Sequence, residues 1–128
     1  MSHTHTNLLI HIIFSTKDRM PLIDSDINPR LHAYLGGIVR ELKGTALSVN
    51  GTMDHVHMLI GLPPTVALSD VVRVTKANSS RWIHEQIVDK KFGWQSGYGA
   101  FSVSQSKAQT VLAYIAHQEA HHRKISFK

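Results

Sequence analysis

Asp54-His55-Val56-His57-Met58-Leu59-Ile60-Gly61-Leu62 reads as a β-strand, and Pro63-Pro64 stops it. Residues two apart on a strand project to the same side of a sheet, so His55 and His57 share one face. Val56, Met58 and Ile60 point the other way, toward a core. One short stretch thus separates a chemical face from a packing face. Just upstream, Asn50-Gly51 carries turn chemistry because both residue types tolerate positive φ. With a short strand at Ala46 to Asn50, the pair is expected to form a hairpin.

Working outward, Leu8-Leu9-Ile10-His11-Ile12-Ile13-Phe14 is short and rich in β-branched residues, the pattern of a buried central strand. Lys17-Asp18-Arg19 and Pro21 end it. From Ile27 to Lys43, Leu31, Leu35, Ile38 and Leu42 recur at helical spacing with Tyr34 beside them. Gly36-Gly37 weakens that helix and leaves room for a neighbouring element. A second helix is expected from Ala67 to about Gln86, with Leu68, Val71, Val72, Trp82 and Ile83 inward. Arg73, Lys76, Ser80 and His84 fall on its opposite side, and a solvent face is expected for Arg73 and Lys76. Between Lys90 and Ala100, Phe92, Trp94 and Tyr98 alternate with Gly93, Gly97 and Gly99, as in a loop. Phe101 to Gln105 alternates like a strand, and Ser106 can cap a last helix that runs to about His121.

The order is βαββαβ with an added C-terminal helix: an α+β, ferredoxin-like antiparallel sheet with two helices on one face. In that topology the first and third strands lie side by side in the centre. A chain of 128 residues, 42% of them hydrophobic, fits one domain over residues 1–128. Fourteen Lys and Arg against nine acidic residues give +5, which favours a polyanionic partner such as nucleic acid, although many small soluble proteins are equally basic. The lack of cysteine excludes disulfides, iron–sulfur clusters and thiolate zinc sites. Neither a signal-peptide pattern nor an apolar run of membrane-spanning length is visible, so a cytoplasmic protein without a membrane partner is expected.

Ten histidines ask for an explanation. His3 and His5 are set aside as incidental; His55, His57, His117, His121 and His122 are the informative ones. Two imidazoles projecting together from a strand can chelate one divalent metal, although a His-x-His pair can also be two polar residues on a wetter face. On the last helix, Tyr114 and Gln118 are one turn apart on one side, shared with Lys107, Thr110 and His121. Ala108, Leu112 and Ile115 form a separate apolar stripe. A tyrosine on the polar side is not needed for packing, yet an ordinary half-buried aromatic is the alternative. The amide oxygen of Gln118 suits a hard cation, Mg²⁺ or Mn²⁺, and two histidines plus one amide leave positions open for a phosphate. Tyr114 could then attack that phosphate. Phenols lose their proton near pH ~10, so a cation or a general base must assist.

His55-Val56-His57-Met58-Leu59-Ile60 and Tyr114-Ile115-Ala116-His117-Gln118-Glu119-Ala120-His121-His122-Arg123-Lys124 resemble the HUH single-tyrosine transposases, in particular the REP-associated group. Phe14-Ser15-Thr16-Lys17, Lys76-Ala77-Asn78-Ser79-Ser80-Arg81-Trp82 and residues 94–104 are similar to that group as well. The likeness spans nearly the whole chain in the right order. It implies an enzyme that cuts single-stranded DNA at hairpin-flanked ends, leaves a 5′-phosphotyrosine and a 3′-OH, and rejoins strands. It also implies Mg²⁺ or Mn²⁺ held by His55, His57 and Gln118, with Tyr114 as nucleophile. Such proteins are commonly homodimers, in which the tyrosine helix of one subunit can serve the other's site. The sequence stops at Lys128, where many relatives continue, so contacts made by such a tail stay open.

Lys17 and Arg19, just beyond the first strand, could hold phosphates or simply lie on a solvated loop, and Lys107 is a further candidate DNA contact. Arg123 and Lys124 could hold the DNA backbone or satisfy the helix C-terminus. Trp94 and Tyr98 could stack unpaired bases, each contact worth ~1–3 kcal/mol, or simply pack. Two further functions compete: a non-catalytic ferredoxin-like nucleic-acid-binding module, and a metal-dependent phosphodiesterase that uses water. The first usually stacks bases on aromatics of its central strands, where this chain places His55 and His57.

Overall fold

Among residues 8–87 and 91–117, which the computed structural model describes, the elements run β1 (Leu8–Ser15), α1 (Ile27–Glu41), β2 (Thr45–Gly51), β3 (His55–Leu62), α2 (Leu68–Trp82), β4 (Gly99–Val103) and α3 (Ala108–Ala116). All strand pairs are antiparallel and the order is β2-β3-β1-β4, which is the expected ferredoxin-like α+β arrangement with β1 and β3 central. No helix among the described residues is long and apolar enough to cross a membrane.

Strand periodicity sorts the sheet into two faces. Ile12 and Phe14 of β1 and Val56, Met58 and Ile60 of β3 meet Leu31, Leu35 and Val39 of α1 and Val71 and Val72 of α2 in the main core. Tyr34 of α1 stacks on Trp82 of α2, ring centroids 4.7 Å apart. The opposite face carries a smaller cluster, in which Ile115 of α3 packs on Leu9 and Leu59, flanked by Val103, Ala108, Val111 and Leu112. The last helix is therefore on the far side of the sheet from α1 and α2. Its apolar stripe lies where the helical spacing of Ala108, Leu112 and Ile115 puts it.

Three local expectations are corrected. Asn50 and Gly51 are not the hairpin turn: both belong to β2, and the chain reverses over Thr52 to Asp54, where the Thr52 N–H donates to the His55 carbonyl at 3.0 Å. Gly51 serves close approach rather than positive φ, because a Cβ there would run into the His55 carbonyl oxygen. Second, β4 starts at Gly99, two residues before the alternation from Phe101 suggested, because pairing with β1 (Ile13 with Gly99, His11 with Phe101, Leu9 with Val103) overrides local pattern. Gln105–Lys107 form a 3-10 turn instead. Third, Ser106 does not cap α3; its hydroxyl lies 3.2 Å from that of Ser104, and the helix begins at Ala108.

A nine-residue helix has little stability of its own. Besides the burial of Ile115, α3 is held by Asn50, whose side-chain amide donates to the carbonyls of Ile115 (3.0 Å) and Ala116 (3.3 Å). Both carbonyls belong to the last residues of α3. Asn50→Ala is expected to cost about 1 kcal/mol in chemical unfolding and to raise amide exchange selectively in α3. Gly51→Ala is expected to cost about 1–3 kcal/mol in the same measurement, through the forced shift of the hairpin.

Candidate active site

His11 of β1 and His55 and His57 of β3 project from the face opposite the main core. His55 and His57 are only 5% and 4% exposed, so they are not two polar residues left on a wet surface. Their ring centroids stand 4.9 Å apart at 71°. Tyr114 of α3, half exposed at 51%, reaches the same place: its ring lies 5.7 Å from that of His57 and 6.2 Å from that of His11, edge-on to both. The His-x-His pair and the tyrosine are 57 positions apart in sequence, counted from His57 to Tyr114, and meet because α3 crosses the back of the sheet. Gln118, Arg123 and Lys124, and with them His121 and His122, lie outside the described residues.

Burying imidazoles leaves polar nitrogens that need partners, at about 1–3 kcal/mol for each one left unmet. Each ligand candidate has one on Nδ1. His55 Nδ1 donates to Asp54 Oδ1 at 2.7 Å, and the Thr52 hydroxyl donates to the same oxygen at 3.1 Å. Arg19 sits 3.6 Å from that carboxylate. Burial pulls the Asp54 carboxyl upward, but the hydrogen bond and charge of His55, the Thr52 hydroxyl and Arg19 outweigh it and hold Asp54 below its ordinary range. His57 Nδ1 lies 2.9 Å from His11 Nε2. Burial lowers the pKa of His11, which favours its neutral form.

Neither His11 nor Asp54 was singled out from sequence. The signal for His11 was there: it is the one polar residue in an otherwise apolar run, and it falls on alternate positions with Leu9 and Ile13. What was missing was the register that sets β1 against β3.

The donor set suits a divalent cation. Metal-bound histidines commonly give their second nitrogen to a carboxylate or another acceptor, and both imidazoles here have such a partner. Among the described residues no three His, Asp or Glu side chains gather into a metal cage. A cation held by His55 and His57 would need a further oxygen donor, for which the Gln118 carboxamide, four positions after Tyr114 in sequence, is chemically suitable.

The remaining candidates separate by environment. Lys17, Arg19 and Lys107 are exposed, and Arg19 reaches the rim of the histidine site through Asp54. Trp94 packs edge-on to Phe14 and Phe92, at 4.7 and 4.8 Å, and donates its indole N–H to Ser79. This is a packing environment. Tyr98, 43% exposed, is the aromatic of that loop open to a base. Lys76 is not the plain solvent cation expected: its ammonium donates to the carbonyls of Gln95 (2.7 Å) and Gly97 (2.9 Å) and clips the glycine–aromatic loop to α2. Burial lowers its pKa. Arg73 is on the expected solvent face, beside Asp70. His117 turns back on its own helix and donates from Nδ1 to the Ala113 carbonyl at 2.7 Å.

Comparison with known proteins assigns the family. The family model described as "Transposase IS200 like" matches residues 4–118. The transposase for insertion sequence element IS200 of Salmonella typhimurium is 28% identical over 124 residues, covering 92% of this chain and 81% of the relative. The ISDra2 transposase TnpA of Deinococcus radiodurans is 25% identical over 114 residues, covering 84% and 81%. Two solved structures share the fold. A Deinococcus radiodurans protein described as a transposase superposes with a TM-score of 0.72 at 22% identity, over 93% of this chain and 96% of that one. A REP-associated tyrosine transposase bound to a REP hairpin gives 0.69 at 15% identity, over 95% and 74%. With a sheet of this topology, a buried histidine pair and a tyrosine helix laid across it, the chain belongs to the IS200-like transposase family.

Proposed function

We propose that this transposase cleaves single-stranded DNA at hairpin-flanked sites and rejoins it, with Tyr114 as the nucleophile and Mg²⁺ or Mn²⁺ held by His55, His57 and Gln118. The observation that carries the proposal is the placement of the Tyr114 ring edge-on to His57 on the face that also bears His55. What favours chemistry over packing is that the half-exposed phenol stands against His57 and His11, two buried imidazoles, and not against apolar side chains alone.

The Tyr114 oxygen attacks the scissile phosphorus. A tyrosine O–P bond forms, the P–O3′ bond breaks, and the departing oxygen takes up a proton to become a 3′-OH. The downstream strand stays attached as a 5′-phosphotyrosine ester. A second 3′-OH then attacks the same phosphorus, restores a phosphodiester and returns the phenol. One ester replaces another at each step, so no external energy source is needed. When bound, the cation supplies charge that polarises the phosphoryl group and offsets negative charge in the transition state. His55, His57 and Gln118 would hold it, with Asp54 orienting His55.

The family assignment supports DNA as the substrate, and the net charge of +5 fits a polyanion. One relative in fold is bound to a REP hairpin, which makes hairpin-containing single strands the first substrates to try. Exposed Tyr98, Lys17, Arg19 and Lys107 are the described side chains proposed to contact it, with Arg123 and Lys124 beyond them. Work on cellular DNA fits a cytoplasmic protein. A homodimer is proposed from the family resemblance. Tyr114 lies beside His57 of its own chain, which supports each subunit's tyrosine serving its own site.

Incubation with labelled hairpin DNA and Mn²⁺, followed by denaturation, is expected to give a covalent protein–DNA band. Tyr114→Phe should abolish the band, and His57→Ala should slow its formation by about 10²–10³-fold or more. Cleavage without an adduct that survives Tyr114→Phe would identify a water-using phosphodiesterase, and binding without cleavage a passive module. Mixing the Tyr114→Phe and His57→Ala chains tests the assembly: the mixture should stay inactive if each tyrosine serves its own subunit. Recovery of the band would place the tyrosine in the partner's site.

A further inference from the structure

We infer that His11 is a positioning residue for His57: its Nε2 accepts a hydrogen bond from His57 Nδ1 and so fixes the tautomer and ring orientation in which His57 can bind a metal. The inference deepens the proposed function and rests on its metal site.

A neutral imidazole carries one N–H and one lone pair, on different nitrogens. His11 Nε2 and His57 Nδ1 are 2.9 Å apart, so one of them must donate to the other. If His11 donated, the proton of His57 would sit on Nε2, and no lone pair would be left for a cation. If His57 donates from Nδ1, its lone pair is on Nε2. Only the second arrangement makes His57 a ligand. The parallel with His55 is close, since its Nδ1 is taken by Asp54 at 2.7 Å. The two ligand candidates therefore have different supports, a carboxylate for one and a neutral imidazole for the other.

His11 is not itself a third ligand. Its Nε2 is spent on His57, and His11, His55 and His57 do not form a set that could share an ion. It is also held in place. The backbone of His11 pairs with Leu59 on one side and Phe101 on the other, its side chain is buried, and its ring contacts those of Tyr114 and Phe101. A partner so constrained limits rotation of the His57 ring, as the outer partners of metal-bound histidines do; losing one typically weakens metal binding about 10–100-fold.

Three variants test this. His11→Leu fills the space without an acceptor, His11→Asn stays polar but is too short to reach, and His11→Gln can present an oxygen to His57 Nδ1. Mn²⁺ affinity is measured by calorimetry without DNA, and the His57 tautomer by ¹⁵N ring shifts on the metal-free protein. The wild type should show His57 protonated on Nδ1. His11→Leu and His11→Asn should lose that preference and bind Mn²⁺ about 10–100-fold more weakly, with His11→Gln close to wild type. Thermal melts establish which variants fold, and the contrast between Asn and Gln serves if Leu does not.

A wild-type His57 protonated on Nε2, or His11→Asn and His11→Leu with unchanged tautomer and affinity, would overturn the role of His11 alone. A wild type without measurable Mn²⁺ affinity would overturn the metal site together with this inference.

Discussion

The antiparallel pairing of β1 with β3 is the constraint on which the rest depends. From Leu8 opposite Leu62 to Ser15 opposite His55 the register runs without a break. It assigns every residue of both strands to one of two environments. Ile12, Phe14, Val56, Met58 and Ile60 go to the main core, and His11, His55 and His57 go to the other face. A slip of one residue would place histidines among α1 and α2 and core side chains against α3. The cost of burying apolar side chains wrongly enforces the register, and the register in turn places the chemistry. Packing and the placement of the histidines are therefore set by the same interaction.

The second face is held more lightly. It is covered by α3, which among the described residues has nine positions and one fully buried anchor, Ile115. Burial of such a side chain is worth about 1.5–3 kcal/mol, enough to dock a short helix but not to make it independent of its surroundings. Asn50 adds hydrogen bonds at the helix end next to Tyr114. Tyr114, the proposed nucleophile, is thus carried by an element whose attachment is local and modest, while His55 and His57 are built into a strand paired on both sides. A histidine face fixed by strand pairing and a separately attached tyrosine would suit the proposed reaction, in which DNA strands must enter, be exchanged and leave.

Much of this was legible in the chain. Alternation along Val56, Met58 and Ile60, the helical spacing of Leu31, Leu35 and Ile38, and the turn-rich breaks between them were sufficient for the order of elements and the fold class. The same alternation put His55 and His57 on one face, and the polar side of the last helix marked Tyr114. Other features depended on pairing that no local pattern reports. A bulge at Leu47 in β2 shifts its phase: Ala46 faces the core with Ile60, and four residues later Asn50 stands opposite His57 on the other face. In a regular strand the two would have shared a side. The role of Asn50 was therefore invisible, and its neighbour Gly51 was misread as a turn. Lys76 was misread for a related reason, because its partners are carbonyls of a loop about 20 residues away.

What the sequence determined by itself is the kind of chemistry: which residues are apolar on which period, that two imidazoles share a face, and that a phenol stands off the apolar stripe of the last helix. Those are properties of spacing within single elements, and the backbone geometry of strands and helices dictates them directly. Only the tertiary structure decided what stands next to what. It set His11 and Tyr114 against His57, Asp54 against His55 and Arg19 against Asp54, because strand register and the crossing of a helix over a sheet are settled by burial summed over the whole chain.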